Sequence, residues 1–144
     1  MPENRKNSVK LKKIASGQVV VGATVNGVKG VFVLDTGAGN TILDISKKDK
    51  FKIADEDVSV TTETAVGAGA SGIALQLATL KSFSVARVRM KNTKVFLMNL
   101  DNVNFGLAEA GIHTIDGMLG GDILFENNAV IDYSNLSLTF NVVK

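Results

Sequence analysis

The stretch VFVLDTGAGNTILD, Val31 to Asp44, decides how the chain is read. Four apolar residues, Val31 to Leu34, run straight into Asp35, and Thr36 and Gly37 follow at once. Such a run predicts a strand covered on both faces, where an unpaired carboxylate is costly. Asp35 is therefore expected to be paired, hydrogen-bonded or chemically employed. Gly37 and Gly39 let the backbone turn sharply and approach its neighbours. Taken alone, the tripeptide fits a turn aspartate satisfied by local amides as well as it fits a reactive group.

Working outward, the residues QVVVGATVNGVKGVFVLD predict a strand from Gln18 to Val25, a tight Asn26-Gly27 turn and a second strand from Val28 to Leu34. Asn-Gly between β-rich runs is a strong hairpin signal because both turn positions need positive φ. Beyond the aspartate, TILDISKKDKFKI predicts a short strand and one helical turn near Ser46 to Lys50. From Val58 to Leu80, Thr, Val, Ile and Leu flank Gly67, Gly69 and Gly72, which predicts a long hairpin with a glycine-rich tip. SFSVARVRMKNTKVFLMNL reads as alternating strands around a turn at Lys91 to Thr93, and NFGLAEAGIHT as a loop with one helical turn at most. Near the end, Asp122 is placed to cap a short helix over Ile123 to Asn127. Two strands follow, Ala129 to Tyr133 and Leu136 to Val142, joined at Ser134-Asn135. Eight or nine short strands with little helix favour an all-β barrel or sandwich.

The bulk composition narrows the function classes. With 144 residues the chain is about one domain long and can bury a core without staples. Sixteen basic residues against 14 acidic ones give a net charge of +2, too little to argue for a nucleic-acid partner. Five of the basic residues, Arg5, Lys6, Lys10, Lys12 and Lys13, crowd the start, so residues 1–17 are expected to be a flexible, solvated tail preceding a domain at 18–144. There is no cysteine, which removes disulfides, thiolate metal sites and cysteine nucleophiles together. No apolar run approaches the ~18 residues of a membrane helix, and the first residues lack the apolar centre of a signal peptide. An exported or anchored form would carry such a segment outside this sequence, and the compartment is left open. His113 is the single histidine, which leaves no basis for a histidine metal cluster or a serine triad, and it is expected at the surface. Asp116 and Asp122 are read as turn or helix caps, and neither a metal nor a cofactor is called for.

A second motif changes the weight of the first. IDGMLGGDIL, Ile115 to Leu124, places two bulky apolar residues before Gly120 and a capped helix after it. LDTGA early, MLGGDIL late and a glycine-rich hairpin between them together resemble the retropepsin-like aspartic proteases, from about Gln18 to Phe140. The resemblance is greatest to the single-domain cellular and bacterial members. It implies a small closed β-barrel of the acid protease fold with one short C-terminal helix, acting as a homodimer on polypeptide substrates. It also implies that Asp35 is the catalytic aspartate, with Thr36 and Gly37 completing its triplet. Ala38, Met118, Leu119 and Gly120 would flank the substrate, and Gly67, Ala68, Gly69 and Ala70 would belong to a flap that closes over it. Thr36 would hydrogen-bond across the two-fold axis. Two features depart from the retroviral pattern: the flap reads VGAGASG, and Gly121 stands where the viral enzymes carry Arg.

The chemistry of that family explains the residue types. Two adjacent carboxylates share a proton, so one can activate a water while the other polarises the scissile carbonyl. The chain has a single Asp-Thr-Gly, and Asp44, Asp101, Asp116, Asp122 and Asp132 lack the residues that would make a second loop. The partner carboxylate is thus expected from a second copy of the chain. A dimer of the same fold that binds peptides without cleaving them is the alternative. A nucleotide-binding reading of DTGAGNT fails on length, a haloacid dehalogenase reading fails because residue 37 is Gly, and GAGASG lacks the Lys-Ser/Thr of a phosphate loop.

Overall fold

The computed structural model describes residues 7–61, 75–111 and 114–142. Eleven strands run in chain order through these residues. They are β1 Ser8–Lys10, β2 Lys12–Lys13, β3 Val19–Val25, β4 Val28–Leu34, β5 Ile42–Asp44, β6 Val58–Thr61, β7 Leu75–Val85, β8 Val88–Met98, β9 Gly117–Leu119, β10 Val130–Asp132 and β11 Ser137–Thr139. Two helices join them, α1 Asp101–Glu109 and α2 Gly121–Glu126, with single 3-10 turns at Ile45–Lys47 and Asp55–Asp57. No helix among the described residues is long and apolar enough to cross a membrane.

Six strands close on themselves in the order β3-β4-β9-β5-β8-β7, because β7 returns to pair with β3 at Thr24↔Ser84 and Val25↔Phe83. The expected closed barrel and its short C-terminal helix are both present. Alternation explains the strands that build it: Val19, Val21, Ala23 and Val25 of β3 point inward, and the residues between them are more exposed. Inside, Phe32, Phe51, Phe83, Leu43, Leu80, Leu119 and Phe140 are almost wholly removed from water. The rings of Phe32 and Phe83 meet edge to face at 5.6 Å. Asn26 and Gly27 take positive φ (49° and 84°) between β3 and β4, as their identity requires. β6 and β7 pair antiparallel as the two arms of the expected hairpin. The tip between them, with Gly67, Ala68, Gly69 and Ala70, lies outside the described residues, as does His113.

Three expectations are corrected. The turn of the next hairpin lies at Ala86-Arg87, both at positive φ, and Lys91 to Thr93 sit within β8. That register pairs Phe83 with Met90 and Ala78 with Val95, so core packing overrides the weak local preference for a turn at Asn92. NFGLAEAGIHT contributes most of a nine-residue helix, α1, where at most a turn was expected. Its Leu107, with Leu100 just before it, is buried against Val33 and Ile115 in a second small core outside the barrel. This cover is why β4 is apolar on both faces at Phe32 to Leu34, while Val31 stays 41% exposed. Finally, part of the supposed basic tail is built in. β1 pairs with β11, β2 pairs with β3, and Leu11 between them is buried. Val9 and Leu11 alternate with outward Lys10 and Lys12, a strand pattern that the lysines conceal.

Asp116, expected as a cap, is a buried ionic joint between β4 and the turn after β5. Its carboxylate accepts from the Val31 amide at 2.9 Å and from the ammonium groups of Lys47 and Lys50 at 3.0 Å each. Burial opposes its charge, but the Val31 amide and the two lysines together outweigh that and hold its pKa below the ordinary value. A carboxyl whose native pKa is depressed stabilises the fold above its unfolded pKa and loses that contribution as pH falls through the native value. Urea unfolding should therefore show stability falling as the pH drops below about 4, the unfolded carboxylate range, and Asp116→Asn should reduce that fall while lowering stability at neutral pH.

Candidate active site

The parallel pairing of β4 with β9 extends one step past the strand, where the Asp35 amide donates to the Leu119 carbonyl at 2.9 Å. The chain then turns tightly. Ala38 N–H donates to the Asp35 carbonyl at 3.2 Å, and Gly37 N–H donates to Asp35 Oδ1 at 3.1 Å. Neither Gly37 nor Gly39 takes the left-handed conformation. The glycine required by close approach is Gly120, where a Cβ would lie 2.7 Å from the Asn40 carbonyl.

The far end of the loop is tied to the start of α2. Gly121 N–H donates to the Ala38 carbonyl at 2.7 Å. Thr41, completely buried, donates from its amide to Asp122 Oδ2 at 3.1 Å and from its hydroxyl to Asp122 Oδ1 at 2.7 Å. The same hydroxyl accepts from the Gly120 amide at 3.0 Å. Asp122 was expected to cap the helix. Instead Gly120 stands at the cap position, and the Asp122 carboxylate, one residue into the helix, holds Thr41 and the Ile123 amide.

Asp35 opens onto a cleft of about 500 Å³. Gly37, Ala38 and Asn40 of the loop line it, Ile42, Met98 and Met118 contribute apolar surface, and Asn102 and Val103 of α1 complete the lining. Strand alternation separates the residues of the late motif. Met118 reaches the cleft, while Leu119 is wholly buried in the barrel core and Gly120 is packed under the loop, so neither of these two presents a side chain to a ligand. Thr36 lines a different hollow, about 240 Å³, with Gly121, Leu124, Phe125, Ala129 and Ile131. The cleft residues Asn99, Asn102 and Val103 were missed in the sequence. Their signal was the seven-residue spacing of Leu100 and Leu107, which fits one face of a helix.

Among the described residues, Asp35 is the one acidic group lining this cleft. Asp44 accepts from Ser46, Asp116 from its two lysines, and Asp122 from Thr41. Asp132 ends β10, where hydrogen bonds from Asn135 and Ser134 in the following turn hold its pKa below the usual range. No group of three or more metal-ligating side chains occurs among the described residues. Replacing Thr41 with Val keeps the shape but removes the hydroxyl that joins Gly120 to Asp122. Denaturant unfolding should show a loss of about 1–3 kcal/mol, because the buried Gly120 amide is left unpaired and the Asp122 carboxylate loses one of its donors.

Comparison with known proteins agrees with this geometry. Residues 21–123 match the aspartyl protease family. A retropepsin-like aspartic protease from Rickettsia conorii superposes with a TM-score of 0.66 at 22% identity, over 92% of this chain and 90% of that one. The retroviral protease-like domain of Ddi1 from Leishmania major gives 0.53 at 17% identity, over 86% and 88% of the two chains. EIAV protease in complex with an inhibitor gives 0.54 at 16%, over 84% and 98%. No curated protein sequence matches. The family match across most of the chain leads to one assignment, and the barrel with its aspartate loop braced on the late glycine agrees with it: this chain belongs to the aspartyl protease family and has a retropepsin-like fold.

Proposed function

We propose that the protein is an aspartic endopeptidase that hydrolyses peptide bonds with a water activated by two Asp35 carboxylates, one from each subunit of a homodimer. The observation that carries this reading is that Asp35 faces the cleft with no other acidic group lining it among the described residues. Acid–base hydrolysis of this class needs a pair. Two carboxylates a few ångströms apart share a proton and titrate together, so the ionised member can take a proton from water while the protonated one donates to the carbonyl oxygen. With Asp44, Asp116 and Asp122 engaged elsewhere, this reading takes the partner carboxylate from another chain.

The surface beside Thr36 supports a two-fold dimer. Among the described residues β10 is an edge strand of the sheet β1-β11-β10, and three large apolar side chains stand exposed around it: Phe125 at 86%, Val130 at 53% and Tyr133 at 65%. An unpaired strand edge flanked by apolar groups is a place for a second copy to join. The hollow under Thr36 is lined also by Phe125 and Ile131, so a copy docked on this face would approach the aspartate loop at Thr36.

Asp35→Asn is nearly isosteric but cannot ionise or share the proton. Peptide cleavage should fall by about 10²–10⁴-fold in kcat, with circular dichroism and sedimentation unchanged. The wild-type rate should rise and then fall with pH on the acidic side of neutrality. A folded Asp35→Asn variant with near wild-type activity would remove Asp35 from the mechanism.

A further inference from the structure

The outer face of β3 and β4 carries a second hollow, which shares no lining residue with the Asp35 cleft. Strand register sets Val20 opposite Val33 and Gly22 opposite Val31. At the first pair the face is covered, since Val33 lies in the small outer core and Val20 packs against that core with Ile14. At the second pair it is open: Gly22 has no side chain, and Val31 is left exposed. A Cβ added at Gly22 would meet no atom within 4 Å. The space left is about 490 Å³, with Ile14, Val20 and Val31 supplying apolar surface and Lys10, Lys12 and Lys13 standing along it.

The charge along this hollow is one-sided. All three lysines are exposed, none forms an ion pair among the described residues, and no acidic residue lines the space. Leu11, buried and with its amide donating to the Leu136 carbonyl at 2.8 Å, fixes the backbone between them. Lys10 and Lys13 are about 10 Å apart along an extended chain. A single small anion meets one or two such charges. An extended polypeptide whose alternate side chains are acidic repeats its charge about every 7 Å and meets all three. No aromatic side chain lines the hollow, so the stacking platform that single-stranded nucleic acid uses is missing among the described residues. The apolar surface lies inside a hollow, where one inserted side chain reaches it and a flat bilayer does not.

We propose that this hollow is a second binding site, for an extended acidic segment of a polypeptide. The segment inserts an apolar side chain over Gly22 and Val31 while its carboxylates meet Lys10, Lys12 and Lys13. Charge complementarity selects the acidic chain, and the space left by Gly22 takes the apolar side chain. Binding here does not depend on the protease reading, because no residue of the cleft takes part.

The test measures fluorescence anisotropy of a labelled peptide that alternates Glu with Leu and Val, added to the full chain. The peptide should bind, and bind more weakly as salt is raised. Replacing its Glu residues with Gln, or its Leu and Val residues with Ser, should each weaken binding by about tenfold. Lys12→Glu combined with Lys13→Glu should do the same, and Gly22→Leu should do so by filling the space. Asp35→Asn protein, which does not consume the probe by cleavage, should give the wild-type affinity. Thermal melts check folding, and if Gly22→Leu does not fold, the Ser-substituted peptide decides the apolar contact. No binding of the acidic peptide, equal binding by the wild type and the lysine variant, or equal binding of the Glu and Gln peptides would overturn the proposal. Phosphatidylcholine vesicles with and without phosphatidylserine form the other arm. Sedimentation of the protein with the anionic vesicles, lost in the lysine variant and without binding of the peptide, would overturn the proposal and assign the lysines to a membrane surface.

Discussion

The buried contact between Thr41 and Asp122 is the constraint on which the site depends. A loop that must present a carboxylate to solvent cannot bury that carboxylate to hold itself in place, so its position has to be fixed by other residues. Here one threonine hydroxyl both accepts from Gly120 and donates to Asp122, with no exposure to water. Low local dielectric strengthens such a chain of hydrogen bonds and makes any unpaired member costly. Together with Asp35 N–H to Leu119 and Gly121 N–H to Ala38, it clamps both ends of the seven-residue loop from Asp35 to Thr41 onto one short segment. The Asp35 carboxylate has the Gly37 amide as its described partner and faces the cleft.

The same bracket orders the two sides of the loop. Strand pairing places Val33 beside Met118 and Leu34 beside Leu119, and alternation sends the first pair outward under α1 and the second pair into the barrel. Met118 is thereby available to a ligand and Leu119 is committed to stability. On the far side, Thr36 and the start of α2 lead to the exposed edge at β10. The Asp35 loop and the apolar edge at β10 thus share one scaffold. This is the arrangement expected when dimer formation and completion of the active site are a single event, because a shift in one moves the other.

The features legible in the sequence are those in which local chemistry and tertiary packing agree. Asn26-Gly27 needed positive φ and has it; the apolar run into Asp35 is a strand; the late Met-Leu-Gly element lies beside the aspartate loop. The misses are places where the two conflict. Ala86 and Arg87 have no intrinsic preference for the turn they form, and only the register that buries Phe83 and Val85 selects it. Gly106 and the polar residues around it hid α1, whose helix depends on Leu107 and neighbouring Leu100 finding Val33 and Ile115. Lysines masked the alternation at Val9 to Lys12. Asp122 carried a helix-start signal, and nothing local indicated that a threonine 81 residues away would take its carboxylate. The α1 lining of the cleft was lost together with the helix, so the cleft was legible at the Asp35 loop and not at Asn102 and Val103.

The most direct test of the central claim is a mixing titration. Wild-type protein is held at constant concentration while Asp35→Asn protein is added under conditions of subunit exchange, with one form tagged so that heterodimers can be counted. If each site needs one Asp35 from each chain, heterodimers are inactive. Equal amounts then leave about a quarter of all dimers fully wild type, and activity falls to about half its starting value. Undiminished activity in a sample with counted heterodimers would contradict the account, since it would mean that one chain can complete the carboxylate pair alone.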